Sequence, residues 1–596
     1  MKNPVQFQIR AVVGLSIVLG VFVCLLGRLF YIQVVQRGRW QRQADAQQWT
    51  RVETIPPLRG EIRDRAGRPL ARTENFPTVV LDPAAIGDRA QAARFLREDL
   101  GVTQTQFDEI LANGGRHFAY VRRQIPDRAA VDQLKAHVKS ADLHGFEFIE
   151  EPKRVYPQGS VAVHVLGFTD RDGKGIEGIE KQFDERLAGR PGKRVTLRDA
   201  RSQEIVTADE PLVPPVDGQD VCLTLDANIQ SFCETAAESS YSKFRPTGTV
   251  AIVVDVNTGE ILGCACRPAF DLSSPGSAPA DARRARVFTD ILEPGSTFKP
   301  LIMSAAIDCG AVGVNEMFDT DNNHVGKRTI HEDEGHHYGM LDPKGIIARS
   351  SNVGMARVGL KLGINRAYAA VRAYGFGSRS ALAWPGESKG QVEPLKSWSE
   401  TYTLCSVAFG HNIAVTPMQL LMAYAALAND GLRLEPRLIA GAPAAAAPVR
   451  VVSAATAGLL RPMLEEVLIS GTAKALKQSE YRIGGKTGTA QKLGTGGVVG
   501  SFACFGPIEN PRLAAIVICD HPTQGNTHGS VVAAPFAVDM LRESLRYLGV
   551  PKSGDPVALP APSGVCVARS DAPLADAAVA DAEPVVTADP AEGENR

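Results

Sequence analysis

Residues 293–300 read Glu-Pro-Gly-Ser-Thr-Phe-Lys-Pro, a turn signal that runs directly into an apolar segment ending near Cys309-Gly310. Ser296 is expected at the start of a helix, where unpaired backbone N–H groups and the helix dipole favour negative charge on its oxygen. Lys299 lies three residues later and shares a helix face with Ser296. A desolvated, neutral lysine amine could take the proton of the hydroxyl. The stretch therefore predicts an activated serine.

The pattern Ser-x-x-Lys also arises by chance on solvated helices. Ser240-Tyr241-Ser242-Lys243 fits it, but this match closes a polar segment and no turn signal precedes it. We therefore expect Ser240 to have no catalytic role.

Two further motifs follow Ser296 along the chain. Ser350-Ser351-Asn352 begins 54 residues later and Lys486-Thr487-Gly488-Thr489 begins 190 residues later. In isolation the first is compatible with a helix cap and the second with a solvated edge strand. The ordered set is typical of penicillin-binding serine enzymes. It resembles that of the penicillin-recognising acyltransferases, and its context resembles the class B penicillin-binding proteins, the D-Ala-D-Ala transpeptidases of bacterial cell-wall synthesis.

The resemblance implies roles for the first two motifs. Ser296 would attack the carbonyl of the penultimate D-Ala of a peptidoglycan stem peptide, and Lys299 would take its proton. Ser350 would relay a proton to the departing D-Ala amine, while Asn352 would hydrogen-bond Lys299 and the substrate amide. An amine from a neighbouring stem peptide would then complete the cross-link, and β-lactams would acylate the same serine.

The third motif would recognise the substrate. Lys486 and the hydroxyls of Thr487 and Thr489 suit a carboxylate, and Gly488 would let the substrate backbone approach closely. The backbone N–H groups of Ser296 and Thr489 would form the oxyanion hole. No metal or cofactor is implied.

Length and composition set broad limits. A chain of 596 residues exceeds one ordinary core, which predicts two or more domains. A formal charge of −1 argues against a nucleic-acid partner. The ten cysteines show no zinc-site spacing, so we expect most of them to be small core residues.

An apolar segment at residues 11–35 predicts one transmembrane helix that follows a short cytoplasmic N-terminus, residues 1–10. The small residues Ala44-Asp45-Ala46 suggest a signal-peptide cleavage site, but they lie well beyond the apolar segment, which favours an uncleaved anchor. Flanking charges do not decide the orientation, because basic residues stand on both sides. The resemblance implies an inner-membrane, single-pass protein with a periplasmic catalytic domain.

Residues 48–215 contain no catalytic constellation and resemble the pedestal, or dimerisation, domain of class B penicillin-binding proteins. The resemblance rests on Arg59–Ala71, with its turn Asp-Arg-Ala-Gly between two strands, on Arg154-Val155-Tyr156-Pro157 and on Gly175–Glu180. We expect an architectural role for these motifs.

The order of elements in residues 216–552 indicates an α/β (α+β) transpeptidase domain. Two strands joined by a hairpin come first, a mostly helical middle runs from Ser296 to about Ile469, and three strands and a closing helix follow. Strands at both ends predict one antiparallel sheet sandwiched by helices, as in the penicillin-binding transpeptidase fold. Residues 553–596 have the composition of a disordered tail.

Alternatives remain at this stage. The histidines and acids of residues 324–337 could be drawn as a zinc site, but a polar loop fits better. A β-lactamase, a β-lactam sensor or a non-catalytic scaffold that activates a glycan polymerase would share part of the pattern.

Class B enzymes divide into a division branch and an elongation branch. Residues 288–295 resemble the Thr-Asp-x-x-Glu-Pro-Gly pattern of the division branch, whereas the elongation branch tends to carry proline in place of Glu293. Glu293 could equally be a helix-start acid. The division branch implies a membrane-embedded glycan polymerase and other division proteins as partners.

Overall fold

The computed structural model describes residues 4–38, 49–115, 117–198, 204–205, 213–443, 445–477, 480–492 and 496–554. The helices are α1 Pro4–Phe30, α2 Arg89–Leu100, α3 Gln104–Asn113, α4 Arg128–Ser140, α5 Val163–Leu166, α6 Gly178–Gln182, α7 Asp184–Ala188, α8 Ala227–Phe244, α9 Ala280–Arg283, α10 Arg286–Thr289, α11 Lys299–Asp308, α12 Pro343–Arg349, α13 Asn352–Leu362, α14 Ile364–Ala373, α15 Cys405–Ala408, α16 Pro417–Ala428, α17 Ala454–Ile469, α18 Gly529–Val532 and α19 Ala534–Tyr547. The strands are β1 Trp49–Ile55, β2 Ile62–Arg63, β3 Pro69–Leu81, β4 Ala119–Arg122, β5 Phe146–Val155, β6 Gly192–Arg198, β7 Glu204–Ile205, β8 Val221–Cys222, β9 Gly248–Asp255, β10 Ile261–Arg267, β11 Phe318–Asp319, β12 His324–Val325, β13 Arg328–Thr329, β14 Met340–Leu341, β15 Leu432–Arg433, β16 Val449–Arg450, β17 Gly484–Gln491, β18 Val498–Gly506 and β19 Leu513–Asp520. The candidate cleavage site at 44–46 and the tail beyond 554 lie outside the described residues.

The predicted apolar helix near the N-terminus is present. Helix α1 continues into a short π-helical turn, Tyr31–Val35, and residues Val12–Val35 form a 24-residue apolar span with exposed side chains. At 1.5 Å per residue this span is about 36 Å long, enough to cross the hydrocarbon core of a bilayer.

The pedestal has two parts. Its outer part, the head, packs α2, α3 and α4 against β3, β4 and β5, around a core that runs from Val79 to Val138. Its inner part contains the three pedestal motifs, the antiparallel sheet β1-β6-β7 and the short strand β2.

The pedestal motifs meet at one buried carboxylate. Arg59 and Arg154 each donate from Nε to Glu180, both at 2.7 Å, and Arg59 also contacts Asp184 at 2.7 Å. The Glu180 side chain is fully buried, and those of the two arginines are nearly so. Buried charges are tolerated when they are paired and hydrogen-bonded, so this cluster fixes how the first, second and third motifs pack together.

The inner pedestal is continuous with the catalytic domain. Strand β2 pairs in parallel with β8, with Ile62 opposite Val221, and β2 also pairs with β3. Buried residues of the inner pedestal, such as Leu166 and Ile179, belong to the same hydrophobic core as the central sheet.

The central sheet has the order β10-β9-β19-β18-β17, and all its pairs are antiparallel. Every residue of β9 is buried, which requires cover on both faces. Helices α8 and α19 pack together against the sheet, and α16 packs separately against β9, β18 and β19. The predicted helix-covered antiparallel sheet is confirmed.

The structure describes nine of the cysteines, and all nine are free thiols. Seven are buried, whereas Cys24 lies in the apolar span and Cys309 is exposed after α11. Burial raises the pKa of Cys504, on β18, above its ordinary value. The expectation of small core residues holds for these seven.

We predict that Glu180→Ala destabilises the protein by about 3–5 kcal/mol, because it leaves two buried guanidinium groups without their carboxylate. Thermal and urea unfolding of the full chain in detergent would measure this change. Glu98→Ala is the matched control, since it breaks an exposed pair with Arg94 and should cost about 1 kcal/mol or less. Equal losses in the two variants would contradict the structural role of Glu180.

Candidate active site

The predicted nucleophile lies on a tight turn. Gly295–Phe298 form one turn of 3-10 helix, and the α-helix α11 begins at Lys299, not at Ser296 as the sequence suggested. Gly295 has φ +54°, a conformation that glycine adopts without strain. Short 3-10 turns are frequent at helix starts. Ser296 is half-buried, and Lys299 is fully buried beneath it.

Neighbouring segments fix this turn from several sides. The N–H of Gly295 donates to the carbonyl of Gly410 at 3.0 Å, and the Tyr424 hydroxyl of α16 donates to the carbonyl of Thr297 at 2.6 Å. Glu293 accepts from His411 Nδ1 at 2.8 Å and from the backbone N–H of Asn412. Burial works against the charged form of Glu293, but these two hydrogen bonds lower its pKa. Glu293 thus has a structural function next to the nucleophile.

The amine of Lys299 lies among acceptors from the second motif. It donates to Asn352 Oδ1 at 2.7 Å, to the Ser350 carbonyl and to Ser350 Oγ at 3.2 Å. Within the described residues, the amine of Lys299 makes no hydrogen bond with Ser296 Oγ. Burial lowers the pKa of Lys299 to about 7, while the carboxylates of Glu332 and Asp333 act in the opposite direction. A large share of the amine is therefore neutral near neutral pH.

The second motif combines a helix end, a turn and a helix start. Ser350 ends α12 in the left-handed conformation, with φ +63°, which directs its carbonyl and hydroxyl at the lysines. Such a conformation costs free energy in a residue with a side chain and is often found at active sites. Ser351 caps α13 through its hydroxyl, and Asn352 is the first residue of that helix. The helix cap and the site residues are therefore different members of one motif.

The third motif lies on β17, the edge strand of the central sheet. Lys486 is fully buried and donates to Ser350 Oγ at 2.9 Å. Burial, followed by the nearby Lys299 amine, lowers the pKa of Lys486. The hydroxyl of Thr487 contacts that of Thr472 at 2.7 Å, and Thr489 Oγ1 accepts from the N–H of Gly529 at 3.2 Å.

Gly488 lies in close contact with the turn that carries Ser296. A Cβ there would lie 2.5 Å from Ser501 Oγ, 2.9 Å from Thr297 Cγ2 and 3.0 Å from the carbonyl oxygen of Pro294, while the expected approach of the substrate backbone stays a prediction. The space belongs to the turn that carries Ser296. Glycine is required at this position because strand and turn approach each other closely.

These elements surround a cleft of about 280 Å³, which we call the active cleft. Its wall includes four of the eight predicted residues: Ser296, Ser350, Thr487 and Thr489. The other four predicted residues do not line the cleft. Lys299 and Lys486 each lie beneath its wall within hydrogen-bond distance of Ser350 Oγ, and Asn352 accepts from Lys299. Gly488 faces the turn that carries Ser296. A larger cavity of about 650 Å³ in the head contains none of the eight.

The remaining sequence candidates lie elsewhere or act differently. Ser240 is buried within α8, donates to the Val532 carbonyl at 2.8 Å and does not line the active cleft. Asp333 and His336 of the histidine-rich loop line the active cleft. Within the described part of the chain, no three His, Cys, Asp or Glu side chains are grouped as a metal site.

The sequence analysis grouped Glu332 only with the acids of a possible zinc site and did not predict its contact with α13. Its carboxylate accepts from the Ser351 hydroxyl, from the N–H of Asn352 at 2.6 Å and from the N–H of Val353 at 3.3 Å. It precedes these residues by about twenty positions and stands in a polar loop, so no local pattern in the sequence connects it to α13.

Comparisons with known proteins match both parts of the chain. A family model described as the penicillin binding protein transpeptidase domain matches residues 249–542, and one described as the penicillin-binding protein dimerisation domain matches residues 54–223. The chain is 32% identical to the probable peptidoglycan D,D-transpeptidase PenA of Neisseria gonorrhoeae, covering 92% of this chain and 94% of the relative. It is 30% identical to the peptidoglycan D,D-transpeptidase FtsI of Escherichia coli, with coverages of 88% and 90%.

A solved structure gives the same result for the fold. Penicillin binding protein 3 from Mycobacterium tuberculosis, complexed with aztreonam, superposes with a TM-score of 0.63 and is 26% identical. The match covers 86% of this chain and all of the other.

We predict that Gly488→Ala lowers the rate of covalent labelling by a fluorescent penicillin by about 100-fold, since the new methyl group would displace the turn that carries Ser296. Gly458→Ala is the matched control, because a Cβ at that helical position meets nothing within 4 Å. A timed gel assay on both variants would measure the rates. Unchanged labelling of Gly488→Ala would show that the close contact has no effect on the nucleophile.

Proposed function

The chain belongs to the class B penicillin-binding proteins, the D,D-transpeptidases of peptidoglycan synthesis, and we propose that Ser296 is the residue through which it cross-links stem peptides. The observation that supports this most directly is the Lys299 amine, buried beneath Ser296, with a pKa lowered to about 7 and with hydrogen bonds to Ser350 and Asn352. A buried lysine near neutrality is suited to general-base catalysis.

The hydrogen bonds of Lys299 suggest how the base is oriented. A neutral amine has two N–H bonds and one lone pair. The Ser350 carbonyl and Asn352 Oδ1 can only accept, so they take the two N–H bonds. The lone pair is then available to a hydroxyl: that of Ser296 during attack on the D-Ala carbonyl, or that of Ser350 during proton relay.

Ser350 Oγ is the proposed link to the leaving group. It is within hydrogen-bond distance of Lys299 at 3.2 Å and of Lys486 at 2.9 Å. A proton taken from Ser296 by Lys299 can pass through this hydroxyl to the departing D-Ala amine. The two lysine amines next to this hydroxyl would also stabilise the negative charge that develops on the substrate.

Substrate recognition is proposed for the wall of the active cleft. The hydroxyls of Thr487 and Thr489 would bind the terminal carboxylate, and the backbone N–H groups of Ser296 and Thr489 would form the oxyanion hole. Lys486 is fully buried, so it would act through its hydrogen bond to Ser350 Oγ and would not contact the carboxylate directly. The acyl-enzyme would then be released by the amine of a second stem peptide, without a cofactor.

Two alternatives are distinguished by their products. A β-lactamase would hydrolyse its acyl-enzyme rapidly and would turn over nitrocefin continuously, whereas a transpeptidase would hold the label. A non-catalytic scaffold would support growth with Ser296→Ala. A β-lactam sensor would be expected to carry several membrane spans, and the described residues contain one candidate span.

We predict that a fluorescent penicillin labels the wild-type chain covalently and that Ser296→Ala abolishes the label, because the nucleophile is lost. Ser240→Ala is the matched control: it removes the same group from the other Ser-x-x-Lys sequence and should leave labelling intact. Peptide mapping of the adduct would locate it. An adduct on Ser240, or full labelling of Ser296→Ala, would refute the assignment.

The single apolar span Val12–Val35 supports a single-pass membrane protein. We propose that residues 1–10 are cytoplasmic and that the pedestal, residues 48–215, and the transpeptidase domain, residues 216–552, lie in the periplasm, where the substrate is found.

We expect an alkaline phosphatase fusion after Arg596 to be active, since that enzyme requires export, and a β-galactosidase fusion at the same position to be inactive. The protein should remain with the membrane fraction after a high-salt wash. The opposite pattern of fusion activities would place the catalytic domain in the cytoplasm.

We also propose a role in septal synthesis, with β-lactams as inhibitors and a membrane-embedded glycan polymerase and division proteins as partners. The resemblance of residues 288–295 to the division branch and the similarity to FtsI support this role. The pedestal and α1 are the parts of the chain available for such contacts. An elongation-type function is the alternative.

Depletion of the protein in its host should give filaments that elongate without dividing, because septal cross-linking would stop while the side wall still grows. Phase-contrast microscopy over several generations would show this. Complementation by the wild-type chain and its failure with Ser296→Ala would link the phenotype to catalysis. Swollen cells that continue to divide would assign the protein to the elongation branch.

A further inference from the structure

Glu332 connects the histidine-rich loop to the helix that carries Asn352. Both of its carboxylate oxygens are engaged, one by the Ser351 hydroxyl and the N–H of Val353, the other by the N–H of Asn352. The first N–H groups of a helix have no partner within the helix, and a carboxylate at this end is favoured by the helix dipole. Glu332 therefore anchors the first turn of α13 from outside that helix.

The same loop also fixes the side-chain amide of Asn352. The carbonyl of His331 accepts from Asn352 Nδ2 at 3.1 Å, while Asn352 Oδ1 accepts from Lys299 at 2.7 Å. With Nδ2 engaged on the loop, the amide cannot rotate and still keep both contacts. The backbone N–H of Asn352 is engaged by Glu332 at the same time. Residues 331 and 332 thus determine the position of Asn352 Oδ1, which accepts from the Lys299 amine.

We propose that Glu332 is a positioning residue for acylation: it holds the start of α13 so that Asn352 Oδ1 takes one N–H of Lys299. It touches neither substrate nor Ser296, so it acts through Asn352 and Lys299. This inference rests on the proposed role of Lys299 as the base for Ser296.

The charges near Lys299 come from several elements. Those that surround it or line the active cleft are Glu332, Asp333 and His336 of the loop, Arg349 of α12, Lys486 of β17 and His528 before α18. Burial lowers the pKa of Lys299, and among the charged groups Glu332 and then Asp333 oppose that effect. Removal of the Glu332 charge should therefore favour the neutral amine at lower pH.

The test is the second-order rate constant of acylation by a fluorescent penicillin, measured from acid to alkaline pH on the full chain in detergent. The wild-type rate should rise with pH as Lys299 loses its proton, with a midpoint near 7. For Glu332→Gln we expect a plateau about tenfold lower, because Asn352 is no longer held, and a midpoint at lower pH. Glu332→Asp keeps the charge and should restore the midpoint.

Glu316→Gln is the matched control. Glu316 pairs with Lys361 at the other end of the same helix, on the surface, so the identical substitution there should change neither the plateau nor the midpoint. Ser351→Ala is the second variant. It removes the donor to Glu332 and the cap of the Gly354 N–H without changing any charge, so the plateau should fall severalfold while the midpoint stays.

The possible results distinguish a failure of the proposed function from a failure of the proposed role of Glu332. If the wild type is not acylated, the proposed function fails. If the wild type is acylated and Glu332→Gln matches it in plateau and midpoint, only the role of Glu332 is overturned. A lower plateau with an unmoved midpoint, accompanied by a lower melting temperature, would show a purely structural role and would also overturn it. Where Glu332→Gln does not fold, Glu332→Asp decides: its shorter side chain should lower the plateau and keep the midpoint, and a wild-type plateau overturns the proposal.

Discussion

The active cleft depends on the burial of two lysine amines within hydrogen-bond distance of one hydroxyl oxygen. Lys299 and Lys486 both contact Ser350 Oγ, and neither has exposed surface. Two ammonium groups in such a place would repel each other and lose their hydration, so the site favours a state in which a proton is missing. A helix, a left-handed turn and an edge strand must meet there, and the remaining structure serves to hold these three elements in place.

The sequence predicted the parts of this arrangement whose spacing is local. The strands of the central sheet are continuous β-rich runs bounded by turn signals, and the structure gives α16 a full capping box at Thr416. The motif residues could be named because they are few, ordered and chemically specific.

Three features could not be read from the sequence, because they depend on contacts between distant segments. Glu332 contacts the start of α13, about twenty residues further along the chain. Glu293, interpreted as a mark of the division branch, is also a hydrogen-bond acceptor for His411, more than a hundred residues away. Gly488 closely approaches the turn that carries Ser296. In each case the residue type was visible, but its partner was determined only by the fold.

The pairing of β2 with β8 limits where recombination between related genes can give a stable protein. The inner pedestal and the catalytic domain share one hydrophobic core. A single recombination point between Arg63 and Val221 would therefore combine core residues from two different parent proteins. The head is different, because its core from Val79 to Val138 is separate from the shared one. Mosaic genes should therefore tolerate replacement of the head as a block, whereas the pedestal motifs and the catalytic domain should pass to descendants together.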